Sequence, residues 1–137
     1  MTVEAQATGR GWGRVLVAVY AVFALSATGR STVQLLTKAD EAPIPYALSA
    51  LAAVVYVAAT VGLARRGARA RQLAWSAVLV ELAGVVLVGT LSVLRTEWFP
   101  DDTVWSSYGQ GYGYLPLVLP FVGVAWLRRT RGRRTPV

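Results

Sequence analysis

Apolar residues follow one another in four long stretches that short charged segments separate. The stretches cover residues 15–36, 46–64, 73–94 and 108–127. A helix needs about 20 residues to cross the hydrocarbon core of a bilayer. The first three stretches reach this length, whereas the fourth is strongly apolar only over 115–127 and reaches it if its helix begins near Tyr108. The pattern therefore predicts four membrane-spanning helices.

The connections between the first three stretches are only about eight residues long, which favours antiparallel neighbouring helices. We therefore expect an all-α fold, an up-down-up-down four-helix transmembrane bundle that forms a single domain over 1–137. Residues 1–12 and 129–137 are expected to be flexible tails. Tryptophans near the ends of the stretches predict aromatic belts at the two membrane interfaces. These tryptophans are Trp12, Trp75, Trp98, Trp105 and Trp126.

The charged residues indicate an orientation. Eleven of the fourteen basic residues lie before the first stretch, between the second and third stretches, or after the fourth. The other two connections are acidic and contain Asp40, Glu41, Glu97, Asp101 and Asp102. Because cytoplasmic connections carry an excess of Lys and Arg, both termini are expected in the cytoplasm. The same rule accounts for the net charge of +7, so we expect no nucleic-acid partner.

The composition excludes several kinds of chemistry. The chain has no cysteine and no histidine, which removes disulfides, thiolate metal sites and histidine-based acid–base catalysis. It also lacks a phosphate-binding glycine motif and a paired-carboxylate site. We therefore expect no metal, no cofactor and no enzymatic activity. The predominance of Ala, Val, Gly and Arg is typical of a GC-rich bacterial genome.

Glu81 is the one charged residue inside the third stretch. It lies eight residues after Leu73, which is about 12 Å from the cytoplasmic end of a helix. An ionisable residue at this depth normally faces the bundle interior or a water-filled cavity. One interpretation is a proton- or cation-handling site, or a contact to another subunit. The other is a carboxyl group that fixes the helix register through hydrogen bonds to Ser, Thr, Tyr or Arg.

Arg30 and Gln34 lie late in the first stretch. Arg30 is about 22 Å from the cytoplasmic end, so its axial distance from Glu81 is about 10 Å. Arg30 either pairs with Glu81, directly or through Gln34, a tyrosine or water, or extends to the outer membrane interface. If both polar groups face one cavity, we expect ligand recognition, because arginine binds carboxylates and phosphates.

Glycine and tyrosine alternate in "YGQGYGY", residues 108–114, just before the strongly apolar part of the fourth stretch. The "GYG" within it resembles the potassium-channel filter. The Thr and Val of that filter do not stand next to it, however, and no adequate pore helix precedes it. Alternating glycines more commonly allow a close approach of the backbone. We therefore predict that Gly109, Gly111 and Gly113 pack closely against the other helices.

Two tyrosines of this segment complete the predicted site. They are expected to direct their hydroxyl groups toward the polar side chains late in the first stretch. The candidate buried polar site consists of Glu81, Arg30, Gln34, Tyr108 and Tyr112.

Two segments carry a resemblance. "ELAGVVLVGTLS" and "FPDDTVWSSYGQGYGYLPLVLPFVGVAWL" look like parts of the small, uncharacterised integral membrane proteins of high-GC actinobacteria. The resemblance covers the second to fourth stretches, about two thirds of the chain. It implies a bacterial inner-membrane protein and supplies no catalytic residues.

These features predict a non-enzymatic accessory or scaffold subunit of a membrane complex. Its expected partners are the lipid bilayer and either another membrane protein subunit or a second copy of the chain. The alternative is a small oligomeric transporter or channel that uses Glu81 and Arg30. A lipid-modifying membrane enzyme has the least support, because the sequence contains no activated nucleophile or acid–base pair.

Overall fold

The computed structural model describes residues 3–38, 40, 43–100 and 103–130. This part of the chain is all-helical and contains no strand, which confirms that the fold is all-α. The α-helices are α1 (Val3–Lys38), α2 (Pro43–Ala64), α3 (Ala68–Leu94) and α4 (Leu115–Arg129). Two 3-10 helices, Thr96–Trp98 and Ser106–Tyr112, lie between α3 and α4.

The two predicted tails fall partly on described residues. α1 begins at Val3, inside the segment 1–12 that the sequence predicts as a flexible tail. From residue 131 onward, the tail predicted over 129–137 lies outside the described residues. So do three acidic residues of the connections, Glu41, Asp101 and Asp102.

Three helices are long and apolar enough to cross a membrane. Their membrane windows are Gly11–Thr37 in α1, Pro43–Ala64 in α2 and Ala68–Leu94 in α3. α4 has 15 residues and is therefore about 22 Å long, which is less than the hydrocarbon thickness of about 30 Å. The helix predicted over 108–127 is α-helical only from Leu115 onward.

The backbone before α4 explains the shorter helix. Ser107, Tyr108 and Gly109 have φ values of 50°, 62° and 84°, and Tyr114 again has a φ of 62°. Residues in this left-handed region cannot continue a right-handed α-helix. Pro116 follows in the first turn of α4, where a missing N–H group costs little. The α-helix therefore starts after the last left-handed residue.

Helix packing follows the distribution of small and aromatic side chains. α2 packs against both α1 and α3, and α3 also packs against α4 and the Ser106–Tyr112 helix. On α1 the buried side chains recur every three or four residues, which places them on one face. The apolar ones are Leu16, Tyr20, Phe23 and Ala24, and Ser31 is buried about two turns further along the helix. α2 and α3 lie close together at Gly62, where an added Cβ would lie 2.6 Å from the backbone nitrogen of Ala74.

Candidate functional site

Four polar or aromatic side chains meet inside the bundle, and we call them the middle layer. Tyr20 belongs to α1, Tyr56 to α2 and Glu81 to α3, while Trp105 immediately precedes the Ser106–Tyr112 helix. Each of the four has an exposed fraction of 0%. The layer therefore joins three helices and the irregular segment at one place.

Glu81 is held by a tyrosine of α1. The Tyr20 hydroxyl donates a hydrogen bond of 2.6 Å to Glu81 Oε1, which is a short O–H···O distance. Glu81 Oε2 is buried and has no hydrogen-bond partner among the described residues. Glu81 is thus bonded to Tyr20, one of the residue types that the sequence allowed as its partner, and Arg30 bonds to Tyr112. The burial of Glu81 agrees with the expectation that it faces the bundle interior.

Tyr56 and Trp105 form the second polar contact of the layer. Trp105 Nε1 donates a hydrogen bond of 3.1 Å to the Tyr56 hydroxyl. The Tyr56 ring lies 6.1 Å from the ring of Tyr20 and 6.4 Å from that of Trp105, centroid to centroid. Gly84 makes room for the indole, because an added Cβ there would lie 2.6 Å from it.

The position of Trp105 corrects one sequence-based interpretation. The sequence predicts this residue in an interfacial belt, yet its indole is wholly buried. Trp12 and Trp98, by contrast, are exposed to 65% and 42%. The difference arises because the chain around Trp105 turns into the bundle instead of following its surface.

Side chains hold this inward turn in place. The Thr103 backbone N–H donates to Ser106 Oγ at 2.8 Å, and the Trp105 N–H donates to Thr103 Oγ1 at 3.1 Å. The Ser107 N–H donates to Ser92 Oγ of α3 at 2.8 Å. Backbone polar groups away from water need such partners, and irregular backbone at membrane depth is tolerated where protein covers it.

Tyr108 lies against α3 and not beside Arg30 or Gln34, as the sequence suggested. Its hydroxyl is 3.0 Å from Thr90 Oγ1. Its ring covers Gly89, where there is no room for a Cβ atom. The left-handed backbone at Tyr108 turns the side chain toward α3, and sequence spacing alone does not reveal that turn.

The three glycines of the segment have different roles. Gly109 packs closely, since an added Cβ would lie 2.7 Å from the Pro116 ring. At Gly111 and Gly113 an added Cβ would meet no heavy atom within 4 Å in the described part of the chain. Gly113 instead supplies a left-handed φ of 64° at the end of the 3-10 helix. The predicted close packing is therefore found only at Gly109.

Arg30 lies at a second polar place, which we call the Arg30 pocket. Arg30 Nη1 donates a hydrogen bond of 3.3 Å to the Tyr112 hydroxyl, and the Tyr112 ring lies 5.6 Å from the Phe23 ring. The cavity has a volume of about 10 Å³, the space of one water molecule. It is lined by Phe23, Ser26, Ala27, Arg30, Ser49, Val104 and Tyr112.

Three buried polar atoms near this end of the bundle have no hydrogen-bond partner among the described residues. They are Ser31 Oγ, Gln34 Oε1 and Ser49 Oγ. Of these three residues, Ser49 lines the Arg30 pocket. The predicted site is thus divided: Arg30 and Tyr112 lie together, while Glu81, Tyr108 and Gln34 lie elsewhere.

The opposite end of the bundle is basic. Arg71 donates a hydrogen bond to the Leu127 carbonyl, and Gly13 contacts the Trp126 ring. These contacts bring the first half of α1, the start of α3 and the end of α4 together. The arginines near this end are Arg14, Arg65, Arg66, Arg69, Arg71, Arg128 and Arg129. The acidic side chains Asp40 and Glu97 lie in the connections at the other end.

The hydrogen bonds of the middle layer connect helices to one another. Within the described residues, no group of three or more His, Cys, Asp or Glu side chains could hold a metal ion. The carboxyl group of the middle layer is enclosed, and Glu81 does not line the Arg30 pocket. The two polar places are therefore separate, and this cavity lies beside Arg30 and not beside Glu81.

Comparisons with known proteins identify no relative of this chain. No family model matches the chain, and no curated protein or solved structure matches it significantly. The class is therefore defined by the structure alone. The described chain is all-helical, and three of its helices are long and apolar enough to cross a membrane.

Proposed function

We propose that the chain is a multi-pass bacterial inner-membrane protein, of the kind found in high-GC actinobacteria, with both termini in the cytoplasm. In this proposal α4 and the segment before it complete an up-down-up-down bundle. The support is the charge asymmetry, since arginines gather at one end of the bundle and Asp40 and Glu97 at the other. Cytoplasmic segments carry such an excess of arginine.

We further propose that the protein is a non-enzymatic accessory or scaffold subunit of a membrane complex. The uneven burial of the spanning helices carries this proposal. Over an apolar stretch of 18 residues in each helix, 22% of the residues are buried in α1, against 44% in α2 and 39% in α3. α1 therefore leaves most of its surface for lipid or for a helix of another protein.

The chemistry of the uncovered α1 face supports a helix as its neighbour. An added Cβ at Gly29 would meet no heavy atom within 4 Å among the described residues. Leu25 and Val33, four residues away on either side, are exposed to 76% and 60%. In a bilayer, helices associate through small residues that allow close backbone approach. A partner helix could pack across Gly29 between these two apolar side chains.

A copurification experiment tests the subunit role. The tagged protein would be isolated in mild detergent from its own bacterium, and the intact complex would be weighed by native mass spectrometry. We expect a second polypeptide at a fixed ratio to this 14.7 kDa chain. Recovery of monomers or homo-oligomers alone would contradict the proposal.

Two matched substitutions locate the contact. Gly29→Leu adds bulk to the uncovered face of α1, whereas Ala83→Leu adds the same kind of side chain at an exposed position of α3. We expect Gly29→Leu to lower the recovery of the partner and Ala83→Leu to leave it unchanged. Size-exclusion profiles of both variants would show whether each bundle still folds. Equal losses in the two variants would contradict docking on α1.

A second candidate function is a small oligomeric transporter or channel. One observation favours it: Glu81 Oε2 is buried without a hydrogen-bond partner among the described residues. Buried ionisable residues in membrane proteins often mark ion or proton paths. This candidate requires flux across a membrane that Glu81→Gln abolishes while the protein remains folded. The enclosed middle layer makes it the weaker of the two candidates.

A further inference from the structure

We propose that the external surface of the membrane dips toward the bundle beside α4, so that water and lipid head groups cover the segment 110–114. In the four-span arrangement proposed for this chain, on which this inference rests, α4 crosses the membrane and ends at its cytoplasmic side. The depth of the segment, the exposure of its backbone and the side chains around it all favour such a dip.

Two helices indicate the depth of this segment. α4 has 15 residues, so its first turn lies about 22 Å from its basic end. Arg30, which donates a hydrogen bond to the Tyr112 hydroxyl, also lies about 22 Å from the cytoplasmic end of its apolar stretch. Because the hydrocarbon of a flat bilayer is about 30 Å thick, the segment 110–114 would lie about 8 Å inside it.

The rest of the bundle does not cover this segment. Every residue over 110–114 is exposed, whereas Trp105, Ser106 and Gly109 just before it are buried. An added Cβ at Gly111 would meet no heavy atom within 4 Å among the described residues. The chain therefore reaches the surface of the bundle at Gln110, before the regular helix α4 begins.

The exposed backbone needs hydrogen-bond partners that lipid tails cannot supply. Gly113 and Tyr114 have left-handed φ values of 64° and 62°, and Pro116 has no N–H group, so helical bonding is interrupted here. Irregular backbone that faces lipid does not occur inside the hydrocarbon region. A helix of another protein offers few donors, because its own backbone N–H groups are bonded internally. Water and lipid head groups can supply them.

The exposed side chains change in character where α4 begins. Tyrosine is enriched where lipid meets water, and Tyr112 and Tyr114 are 38% and 46% exposed. The exposed side chains that follow along α4 are apolar, and they are Leu115, Val118, Phe121 and Val122. This change marks the expected boundary between a surface that faces water and a surface that faces lipid.

The short span of α4 favours a dip on its own side of the bundle. A spanning segment shorter than the hydrocarbon thickness is accommodated by thinning of the bilayer around it, or by association with other segments. The membrane windows of α1 and α3 have 27 residues each and are therefore about 40 Å long. We therefore expect thinning beside α4 and not beside α1 or α3.

Cysteine labelling measures how deep water reaches, because the chain contains no cysteine of its own. A membrane-impermeant maleimide would be added to native membranes that are open on both sides. Gly111→Cys is the main probe, since Gly111 has open space around it and no positive φ. We expect it to react at a rate similar to that of Glu97→Cys, at an exposed position of the α3–α4 connection.

Two positions that face lipid are the matched controls. Val118 of α4 is 46% exposed and lies about 6 Å from Tyr114 along the helix, and Leu87 of α3 is 63% exposed. We expect Val118→Cys and Leu87→Cys to react at least about tenfold more slowly, because a thiol in apolar surroundings keeps its proton and the thiolate is the reacting form. Size-exclusion profiles would show that each variant is folded.

Three results would overturn the proposal. The first is labelling of Gly111→Cys as slow as that of Val118→Cys, and Gln110→Cys gives the same test if Gly111→Cys does not fold. The second is slow labelling in native membranes that becomes fast in liposomes of phosphatidylethanolamine and phosphatidylglycerol, since a partner subunit would then cover the segment. The third is fast labelling of Val118→Cys, which would mean that α4 does not lie in lipid.

Intact cells separate the dip from the proposed orientation. Arg66→Cys, in the exposed α2–α3 connection, should react in open membranes and stay unlabelled in intact cells, where Gly111→Cys should react. The reverse pattern in intact cells would contradict the proposed orientation. Fast labelling of Gly111→Cys in open membranes would then still establish the dip, on the opposite side of the membrane.

Discussion

The middle layer and the Arg30 pocket are both polar places inside an apolar bundle, but they are built differently. In the middle layer, Tyr20 bonds to Glu81 and Trp105 bonds to Tyr56, and all four side chains are wholly buried. In the Arg30 pocket the polar groups border a small cavity, and Arg30 and Tyr112 remain partly exposed.

This difference separates two uses of polar groups among apolar helices. Where large side chains and glycines such as Gly84 fit around polar atoms, the hydrogen bonds fix which helices meet and in which register. Where the packing is incomplete, polar side chains border a cavity of about 10 Å³, the space of one water molecule. We therefore expect substitutions in the middle layer to lower stability more than substitutions in the Arg30 pocket.

The largest expected loss of stability follows Trp105→Ala. Removing a wholly buried indole leaves a cavity beside Tyr56, and such changes cost about 3–5 kcal/mol in soluble proteins. We expect about 3 kcal/mol here, because unfolded membrane helices remain in an apolar environment. Circular dichroism during unfolding in mixed detergent micelles would measure it.

Trp98→Ala is the matched control for that change. Trp98 is 42% exposed, and the loss should remain below about 0.5 kcal/mol, as is usual for surface positions. Similar losses in the two variants would mean that the middle layer does not hold the bundle together.

The next largest effect concerns the pair of Tyr20 and Glu81. Tyr20→Phe leaves a buried carboxyl group without its hydrogen-bond donor, which should cost about 1–2 kcal/mol. Replacing both partners, with Tyr20→Phe and Glu81→Leu together, should restore most of this loss because no polar group is left unsatisfied. The same unfolding measurement applies, and a double variant less stable than Tyr20→Phe would contradict the structural role of the pair.

A smaller loss is expected for Gly109→Ala. Gly109 has a φ of 84° and lies against the Pro116 ring, and a left-handed backbone costs a residue with a Cβ about 1–2 kcal/mol. Gly111→Ala is the control, since Gly111 has open space around it. Thermal midpoints of the two variants would show the difference, and equal midpoints would argue against close packing at Gly109.

The smallest effect on stability is expected for Tyr112→Phe. Its hydroxyl accepts one exposed hydrogen bond of 3.3 Å from Arg30, and the aromatic contact with Phe23 remains. We expect a change below about 0.5 kcal/mol in the same unfolding assay. If Tyr112→Phe lowered the free energy of unfolding as much as Tyr20→Phe, the middle layer and the Arg30 pocket would contribute equally to stability, which would contradict this account.

Much of the fold follows from the sequence. The three helices that can cross a membrane follow from the length of the apolar stretches, since a backbone in lipid has to satisfy its hydrogen bonds internally. The burial of Glu81 follows from the cost of exposing a charge to lipid. The hydrogen bond between Glu81 and Tyr20 could also be predicted from the sequence, because both residues lie at similar depths from the same end of the bundle.

The rest depends on rotations and turns that a linear pattern does not contain. Hydropathy does not distinguish an interfacial tryptophan from Trp105, whose position depends on a turn held by Thr103 and Ser106. Alternating glycines suggest close packing, but only the left-handed backbone at 107–109 decides that Gly109 meets Pro116 and that Gly111 does not. The same turn directs Tyr108 toward α3.

A flux measurement tests most directly the claim that the middle layer joins helices and is not a transport path. The purified protein would be reconstituted into liposomes that carry a pH gradient or a potassium gradient. Wild type and Glu81→Gln would be compared with empty liposomes. We expect both gradients to decay at the rate of empty liposomes for both proteins. Rapid decay with wild type that a folded Glu81→Gln variant abolishes would contradict the structural role and establish the transporter.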